Sequence, residues 1–392
     1  MTSPWVAGKK SVVGSPRARR ERLSFHALVA VAASLAGCSS ATKPPTAAPV
    51  ATSSELAPIP APLEPSTLSY VETLHRQVGP NLTLDSALQD VAERTIRGTG
   101  RPAAVVAIEP DTGVVRAVFS VPGDRGDPLL VPQIPASTFK VFTALAGLES
   151  GTLTVRTEKT CTGKFAYAGK ELECNAVHGR ETVVSALERS CNSFFYEVGT
   201  EVDHRAVLEV ARRFGFGELT GIEIPDAPGT LPSAARAEEI HRDPSSTLPL
   251  LDAIGHGEIL VTLLQQARAF AVIANGGKLV RLTLEGRGSV ERTVEIAPRN
   301  LAILRVALAN VVDEPDGTAH DVAIPGYPYA GKTGSESSPF IAGEDAGSDT
   351  WFIAYAPRDE SKLLVAARVE HAYPPHDAKH VVHDLLDAYR KR

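Results

Sequence analysis

Ile134-Pro135-Ala136-Ser137-Thr138-Phe139-Lys140-Val141-Phe142-Thr143-Ala144-Leu145 is the stretch from which the rest of the chain is read. Pro135 suits a helix start, because its fixed φ is already helical and the N–H it lacks has no partner in a first turn. Phe139, Phe142 and Leu145 recur at helical spacing and turn one face into a core. Ser137 then falls in the first turn, where free backbone N–H groups and the helix dipole favour developing negative charge. Lys140, three residues on, shares its face. A desolvated amine there can take the serine proton, which is how a hydroxyl nucleophile is activated. The spacing alone is a weak signal: Ser40-Ala41-Thr42-Lys43 repeats it in a Pro-rich stretch where no helix can hold it.

Two further elements strengthen the reading. Ser190-Cys191-Asn192 lies 53 residues beyond Ser137, ahead of the apolar Phe194-Phe195-Tyr196. Lys332-Thr333-Gly334, followed by Ser335, opens a C-terminal region rich in strand formers, where Gly334 lets a ligand approach the backbone. Between the outer strand regions the chain is mostly helical over residues 137–312. Ala103–Ile108 and Val114–Val121 read as a hairpin around Glu109-Pro110-Asp111-Thr112-Gly113. Tyr329–Gly334, Thr350–Ala356 and Lys362–Val369 read as strands, and a helix closes the chain from about Asp377. Asp85 is the expected N-cap of a helix carrying Leu88, Val91 and Ala92. The expected class is α+β (mixed α/β): a central antiparallel sheet built from both chain ends, flanked by helices, with a mostly helical inserted lobe.

The N-terminal region reads differently. Residues 1–37 carry a net charge of +5 within a chain of net −6, which leaves the remainder at −11. An acidic body argues against nucleic acid as a partner, since phosphate binding relies on clustered Lys and Arg. A basic segment, an 11-residue apolar run (27–37) and small residues ahead of Cys38 have the form of a secretory signal. Leu35-Ala36-Gly37-Cys38 resembles a bacterial lipobox, so residues 1–38 are expected to be a lipoprotein-type signal with Cys38 the lipidated residue. The expected location is extracytoplasmic and membrane-attached. Residues 39–68 form a Pro/Ala/Ser-rich linker; residues 39–66 hold seven prolines and almost no large side chains. The catalytic domain is expected over 69–392.

S-x-x-K, an S-D-N-type element and K-T-G in this order characterise penicillin-binding proteins and class A β-lactamases. The chain resembles a penicillin-binding protein transpeptidase domain, of the class B type, from about Leu82 to its C-terminus. Phe214-Gly215-Phe216-Gly217, Gly255-His256-Gly257-Glu258, Ala274-Asn275-Gly276-Gly277, Gly317-Thr318-Ala319 and Trp351–Pro357 add to the resemblance. It implies acyl transfer on the D-alanyl-D-alanine end of peptidoglycan stem peptides, with β-lactams as covalent inhibitors and no cofactor. Ser137 would be the nucleophile, Lys140 its base and Ser190 a proton relay. Asn192 would hold Lys140 and the substrate amide, and Lys332 would add positive charge. Thr333 and Ser335, beside Gly334, would bind the terminal carboxylate, and the N–H groups of Ser137 and Ser335 would form the oxyanion hole. Two departures are Ala136, where Gly is commoner, and Ser335, where Thr is more usual. The N-terminal module of larger relatives is not expected here.

A D,D-carboxypeptidase and a class D-like β-lactamase or β-lactam-sensing lipoprotein are the alternatives. Class D enzymes typically carry Val where this chain has Asn192. Cys161 and Cys174 flank a 12-residue segment of hairpin character. They are expected to form a disulfide, with a zinc site of Cys161, Cys174 and His178, or two unpaired thiols, as alternatives. Cys191 is expected to be a packing residue and His256 a structural one. No metal is expected in the active site.

Overall fold

The computed structural model describes residues 82–337 and 347–392. The expected signal with Cys38 and the expected linker lie outside these residues. Asp85 accepts the backbone N–H groups of Ala87 and Leu88 and starts helix α1 (Ser86–Gly98) as an N-cap. Strands β1 (Ala103–Ile108) and β2 (Val115–Val121) follow as an antiparallel hairpin. Ala136–Phe139 is a 3₁₀ turn, and helix α2 (Lys140–Ser150) continues from it to a left-handed Gly151 cap. Ser137 therefore sits one turn ahead of the α-helix rather than in its first turn.

The lobe that follows contains more β structure than its sequence suggests. β3 (Lys159–Cys161) pairs with β6 (Gly179–Glu181), enclosing the hairpin β4 (Lys164–Tyr167) and β5 (Lys170–Glu173). Helices α3 (Val183–Glu188), α4 (Asn192–Glu201), α5 (His204–Arg213), α6 (Ala234–Arg242), α7 (Leu248–Ala253) and α8 (Leu263–Asn275) come next. A small hairpin, β7 (Lys278–Arg281) and β8 (Ser289–Thr293), leads into α9 (Pro298–Asp313). β3–β6 are short and largely polar, so they lack the alternating apolar pattern that marks a strand in sequence.

Strands β9 (Ala330–Ser337), β10 (Ser348–Ala356) and β11 (Leu363–Ala372) return to β1 and β2, and α10 (Ala378–Arg390) closes the chain. The sheet order is β2-β1-β11-β10-β9, antiparallel at each junction. Both chain ends build it, as expected. All six residues of β1 are buried, because both faces of the sheet are covered. Ala104, Val106 and Ile108 face the core shared with the helical lobe, whereas Ala103, Val105 and Ala107 face α1 and α10. This alternation is the period-two geometry of a strand.

Phe142 is the hub behind the nucleophile turn. Its ring centroid lies 5.6 Å from Phe139, 5.2 Å from Phe214, 4.9 Å from Phe216 and 5.8 Å from Phe270. Truncating so central an aromatic to alanine typically costs about 3–5 kcal/mol. The hydrophobic core thus fixes the position of the turn that carries Ser137. β9 lies at the sheet edge beside that turn, so the third motif meets the first through tertiary packing.

Candidate active site

The turn around Ser137 is over-determined. Ala136 has φ +49°, a conformation that costs a β-carbon-bearing residue energy and persists only when its surroundings impose it. Its N–H donates to the Gly255 carbonyl at 3.0 Å. A Cβ on Gly255 would lie 2.2 Å from the Ala136 carbonyl oxygen, so no larger residue fits that approach. Thr138 Oγ1 donates to the Pro135 carbonyl at 2.6 Å and accepts from Gln266 Nε2 at 2.7 Å. Ser137 is left half-buried at the cleft with its hydroxyl beside Lys140.

Lys140 Nζ lies 2.9 Å from Ser137 Oγ, 2.7 Å from the Ser190 carbonyl oxygen, 3.3 Å from Ser190 Oγ and 2.5 Å from Asn192 Oδ1. The side chain is fully buried, and desolvation brings its pKa down from 10.5 to about 7. A neutral amine can donate its two N–H groups to the Ser190 carbonyl and Asn192 Oδ1. Its lone pair then faces the Ser137 hydroxyl. Ser190, at φ +58°, is a second strained residue, and it joins α3 to α4.

Lys332 Nζ donates to Ser190 Oγ at 3.0 Å and to the Thr333 carbonyl at 2.9 Å. Burial drives its pKa well below the ordinary lysine value, with Lys140 adding repulsion. Ser137, Lys140, Ser190, Asn192 and Lys332 therefore form one connected cluster although the chain separates its ends by 195 residues. Thr333 Oγ1 lies 2.6 Å from Thr318 Oγ1. Gly334 has a structural use: a Cβ there would lie 3.0 Å from Thr138 Cγ2 and 3.2 Å from the Pro135 oxygen. Glycine brings the strand against the nucleophile turn. The cleft between them has a volume of about 590 Å³ and includes Ser137, Ser190, Asn192, Thr333 and Ser335 in its lining.

The expected Cys161–Cys174 disulfide is not formed; both are free thiols. Instead Cys161, Cys174, Cys191 and His178 converge, with all four donor atoms within 4.8 Å of one another. Cys161 Sγ and Cys174 Sγ lie 3.5 and 3.6 Å from His178 Nδ1, and Cys174 Sγ lies 3.9 Å from Cys191 Sγ. A tetrahedral Zn²⁺ with Zn–S bonds of about 2.3 Å has S···S edges of about 3.8 Å, so this donor set suits a structural Cys₃His ion. Cys191 is thus more than packing. Its sulfur also caps α4 by accepting the Phe194 N–H, and Cys174 Sγ accepts the N–H of Asn192 at 3.1 Å. The cluster braces the residue that holds Lys140.

Sequence reading passed over Thr318 as a contact of Thr333, and Glu336, Asp377 and Lys379 as cleft residues. Gly317 carried the only local signal for the first. A Cβ there would lie 2.4 Å from the Asn310 and Val311 carbonyl oxygens, so the loop bearing Thr318 needs glycine.

The site sets a serine hydroxyl against a fully buried lysine amine. The family model of the penicillin binding protein transpeptidase domain matches residues 103–387. This chain belongs to that family. It is 26% identical over 329 residues to stage V sporulation protein D of Bacillus subtilis, covering 74% of this chain and 49% of that protein. It is 27% identical over 340 residues to the peptidoglycan D,D-transpeptidase MrdA of Acinetobacter baumannii, covering 73% and 50% respectively. The solved structure of Pseudomonas aeruginosa PBP2 in complex with WCK 5153 superposes with a TM-score of 0.68 at 25% identity, covering 79% of this chain and 77% of that one. The chain spans about half the length of these curated relatives.

Proposed function

We propose that this protein is a peptidoglycan D,D-transpeptidase working through a serine acyl-enzyme. The observation that carries the reading is Lys140: a buried amine with a pKa brought down to about 7, 2.9 Å from Ser137 Oγ. Neutral Lys140 takes the hydroxyl proton as Ser137 Oγ attacks the penultimate D-alanine carbonyl. Backbone N–H groups of Ser137 and Ser335 receive the oxyanion, where fixed donors act on charge that develops only during reaction. The proton passes through Ser190 Oγ, which touches both lysines, to the departing D-alanine amine. Lys332, Thr333 and Ser335 hold the terminal carboxylate. An acceptor amine then takes the acyl group and regenerates Ser137; a water in its place gives the carboxypeptidase reaction.

The A. baumannii relative's name, the family match and Asn192 in place of the class D valine all favour transfer over β-lactam hydrolysis. A Zn²⁺ held by Cys161, Cys174, His178 and Cys191 would serve structurally, fixing the Ser190–Asn192 segment. The protein acts outside the cytoplasm, attached through lipid on Cys38. No helix among the described residues is long and apolar enough to cross a membrane. Replacing Cys38 by alanine should leave an uncleaved or soluble protein; processing and membrane fractionation like the parent's would refute the anchor.

The decisive experiment is labelling of the purified protein with a fluorescent penicillin. The expected result is one stable adduct that persists for minutes or longer and disappears in Ser137→Ala. Many turnovers per second on a chromogenic β-lactam would convert the assignment to a lactamase. Labelling that survives Ser137→Ala would remove both readings.

A further inference from the structure

A second cavity, of about 470 Å³, shares no lining residue with the catalytic cleft. It is framed by one face of α9 and by the turn between β10 and β11. Arg305, Ala309 and Asp313 recur at i, i+4 spacing on α9, with Val306 and Asn310 beside them. Tyr355, near the end of β10, lines the cavity from the sheet, and Arg358 and Asp359 follow in the turn.

Three of these side chains have hydrogen-bonding capacity that the protein does not use. Tyr355 is fully buried, and its hydroxyl has no partner among the described residues. Burying a hydroxyl unpaired costs free energy, and native structures usually return it through a water or a ligand. Burial pushes its pKa up, so the hydroxyl keeps its proton and stays a donor. Half-buried Arg305 donates from Nε and Nη2 to the Ile273 carbonyl at 3.0 and 2.8 Å, and from Nη2 to the Ala274 carbonyl at 2.9 Å. No carboxylate pairs with it among the described residues, and its Nη1 is unengaged. Asn310 Nδ2 donates to Glu188 Oε2 at 3.1 Å, which leaves Asn310 Oδ1 as an acceptor without a partner among the described residues.

The other charges at the cavity are accounted for. Arg358 is paired with Asp313. The Asp359 side chain is 89% exposed beside Arg358 at 3.8 Å, where water screens its charge. Arg305 is therefore the cation left to a ligand. A guanidinium fork and a protonated phenol together suit a carboxylate. Asn310 Oδ1 suits an N–H, and Val306 and Ala309 offer a small apolar surface to a short side chain. The volume lies within the range that small-molecule sites occupy.

We infer that this cavity is a second ligand site, which takes an α-amino carboxylate with a short apolar side chain. The carboxylate meets Arg305 Nη1 and the Tyr355 hydroxyl, the α-nitrogen donates to Asn310 Oδ1, and the side chain rests on Val306 and Ala309. A free amino acid, through its ammonium, and the last residue of a peptide, through its amide, share this chemistry. The inference goes beyond the transpeptidase reading and uses none of the cleft residues. Binding is reversible, and no covalent bond is made.

Calorimetric titration of the full chain with alanine, N-acetylalanine and alaninamide, each in D and L forms, tests it. At least one of the two carboxylates should bind with a Kd on the order of 1 mM, about what so small a ligand reaches. Alaninamide, which lacks the carboxylate, should not bind. Binding of N-acetylalanine alone identifies a peptide end as the ligand, and binding of alanine alone a free amino acid; either supports the site. Tyr355→Phe should melt at the parent's temperature or above, because its hydroxyl has no partner to lose, and should weaken binding about tenfold. Arg305→Gln, which keeps an N–H donor for the Ile273 carbonyl, should abolish binding. The inference is overturned if neither carboxylate binds, or if alaninamide binds as well as they do. Binding unchanged in either variant overturns it too, by placing the ligand elsewhere on the protein.

Discussion

Two of the regions in which this molecule buries cations do so by different means. On β10 and β11, buried Arg368 and, beside it, partly buried Arg125 are held by Asp349 and Glu370 within 3.3 Å. Burial opposes the Arg368 charge, yet Glu370 and Asp349 support it, and a guanidinium keeps its proton in any case. At the catalytic end, Lys140 and Lys332 are fully buried, and no carboxylate pairs with either among the described residues. Their partners are a carbonyl, an amide oxygen and hydroxyls. The amines respond by losing affinity for protons. A buried cation with counter-ions keeps its charge; one left without them holds its proton less tightly.

The largest test of this contrast exchanges one kind of cation for the other. Lys140→Arg places a guanidinium that cannot deprotonate against Ser137. Penicillin acylation should fall by about a thousandfold, within the range that a general base contributes. A thermal melt close to the parent's would show that the site survives. Acylation retained within tenfold would remove Lys140 as the base.

Next in size is the framework cluster. Arg368→Met leaves Asp349 and Glu370 buried with Arg125 alone. Removing one partner of a buried ion pair typically costs about 3–5 kcal/mol, and Arg125 should hold this loss near about 3 kcal/mol. Urea unfolding measures it. A loss below about 1 kcal/mol would mean that the quartet is solvated enough not to need the second arginine.

The pH dependence should be smaller and confined to the catalytic region. Neutral Lys140 is the active form, so acylation should rise with pH through about 7 and then level off. For stability, the unfolded lysine, with a pKa near 10.5, binds a proton that the folded one does not hold between about 7 and 10.5. The burial of Lys140 therefore weighs more heavily against the fold as pH falls toward 7. Lys140→Met should gain stability relative to the parent across that window, whereas Arg368→Met should show no such slope. Stability curves at pH 7 and pH 9.5 separate the two.

The smallest predicted effects concern supports. Thr318→Val removes the partner of Thr333 Oγ1 and should slow acylation severalfold, in line with about 1 kcal/mol for one hydrogen bond. The Cys₃His cluster should retain about one equivalent of zinc through purification without chelator, as a closed four-ligand site does. Stripping it should lower the melting temperature and slow acylation through Asn192, without abolishing labelling. A metal-free protein unchanged in both would leave the four residues as packed thiols and a histidine.

What the sequence by itself determined follows from short-range rules. The cap at Asp85, the strands at both chain ends, the Ser137/Lys140 spacing and the three motif segments were legible because neighbouring residues set them. Only the tertiary structure decided that Lys140 is buried with no counter-ion among the described residues, since that depends on what packs around it from Ser190 and Asn192. It likewise turned an expected disulfide into a four-residue cluster spread over 31 positions, and brought Thr318 to Thr333 and Glu336 into the cleft. Local spacing records which residues a helix face or strand presents. It does not record which distant element will meet that face, because the meeting is chosen by the packing of the core as a whole.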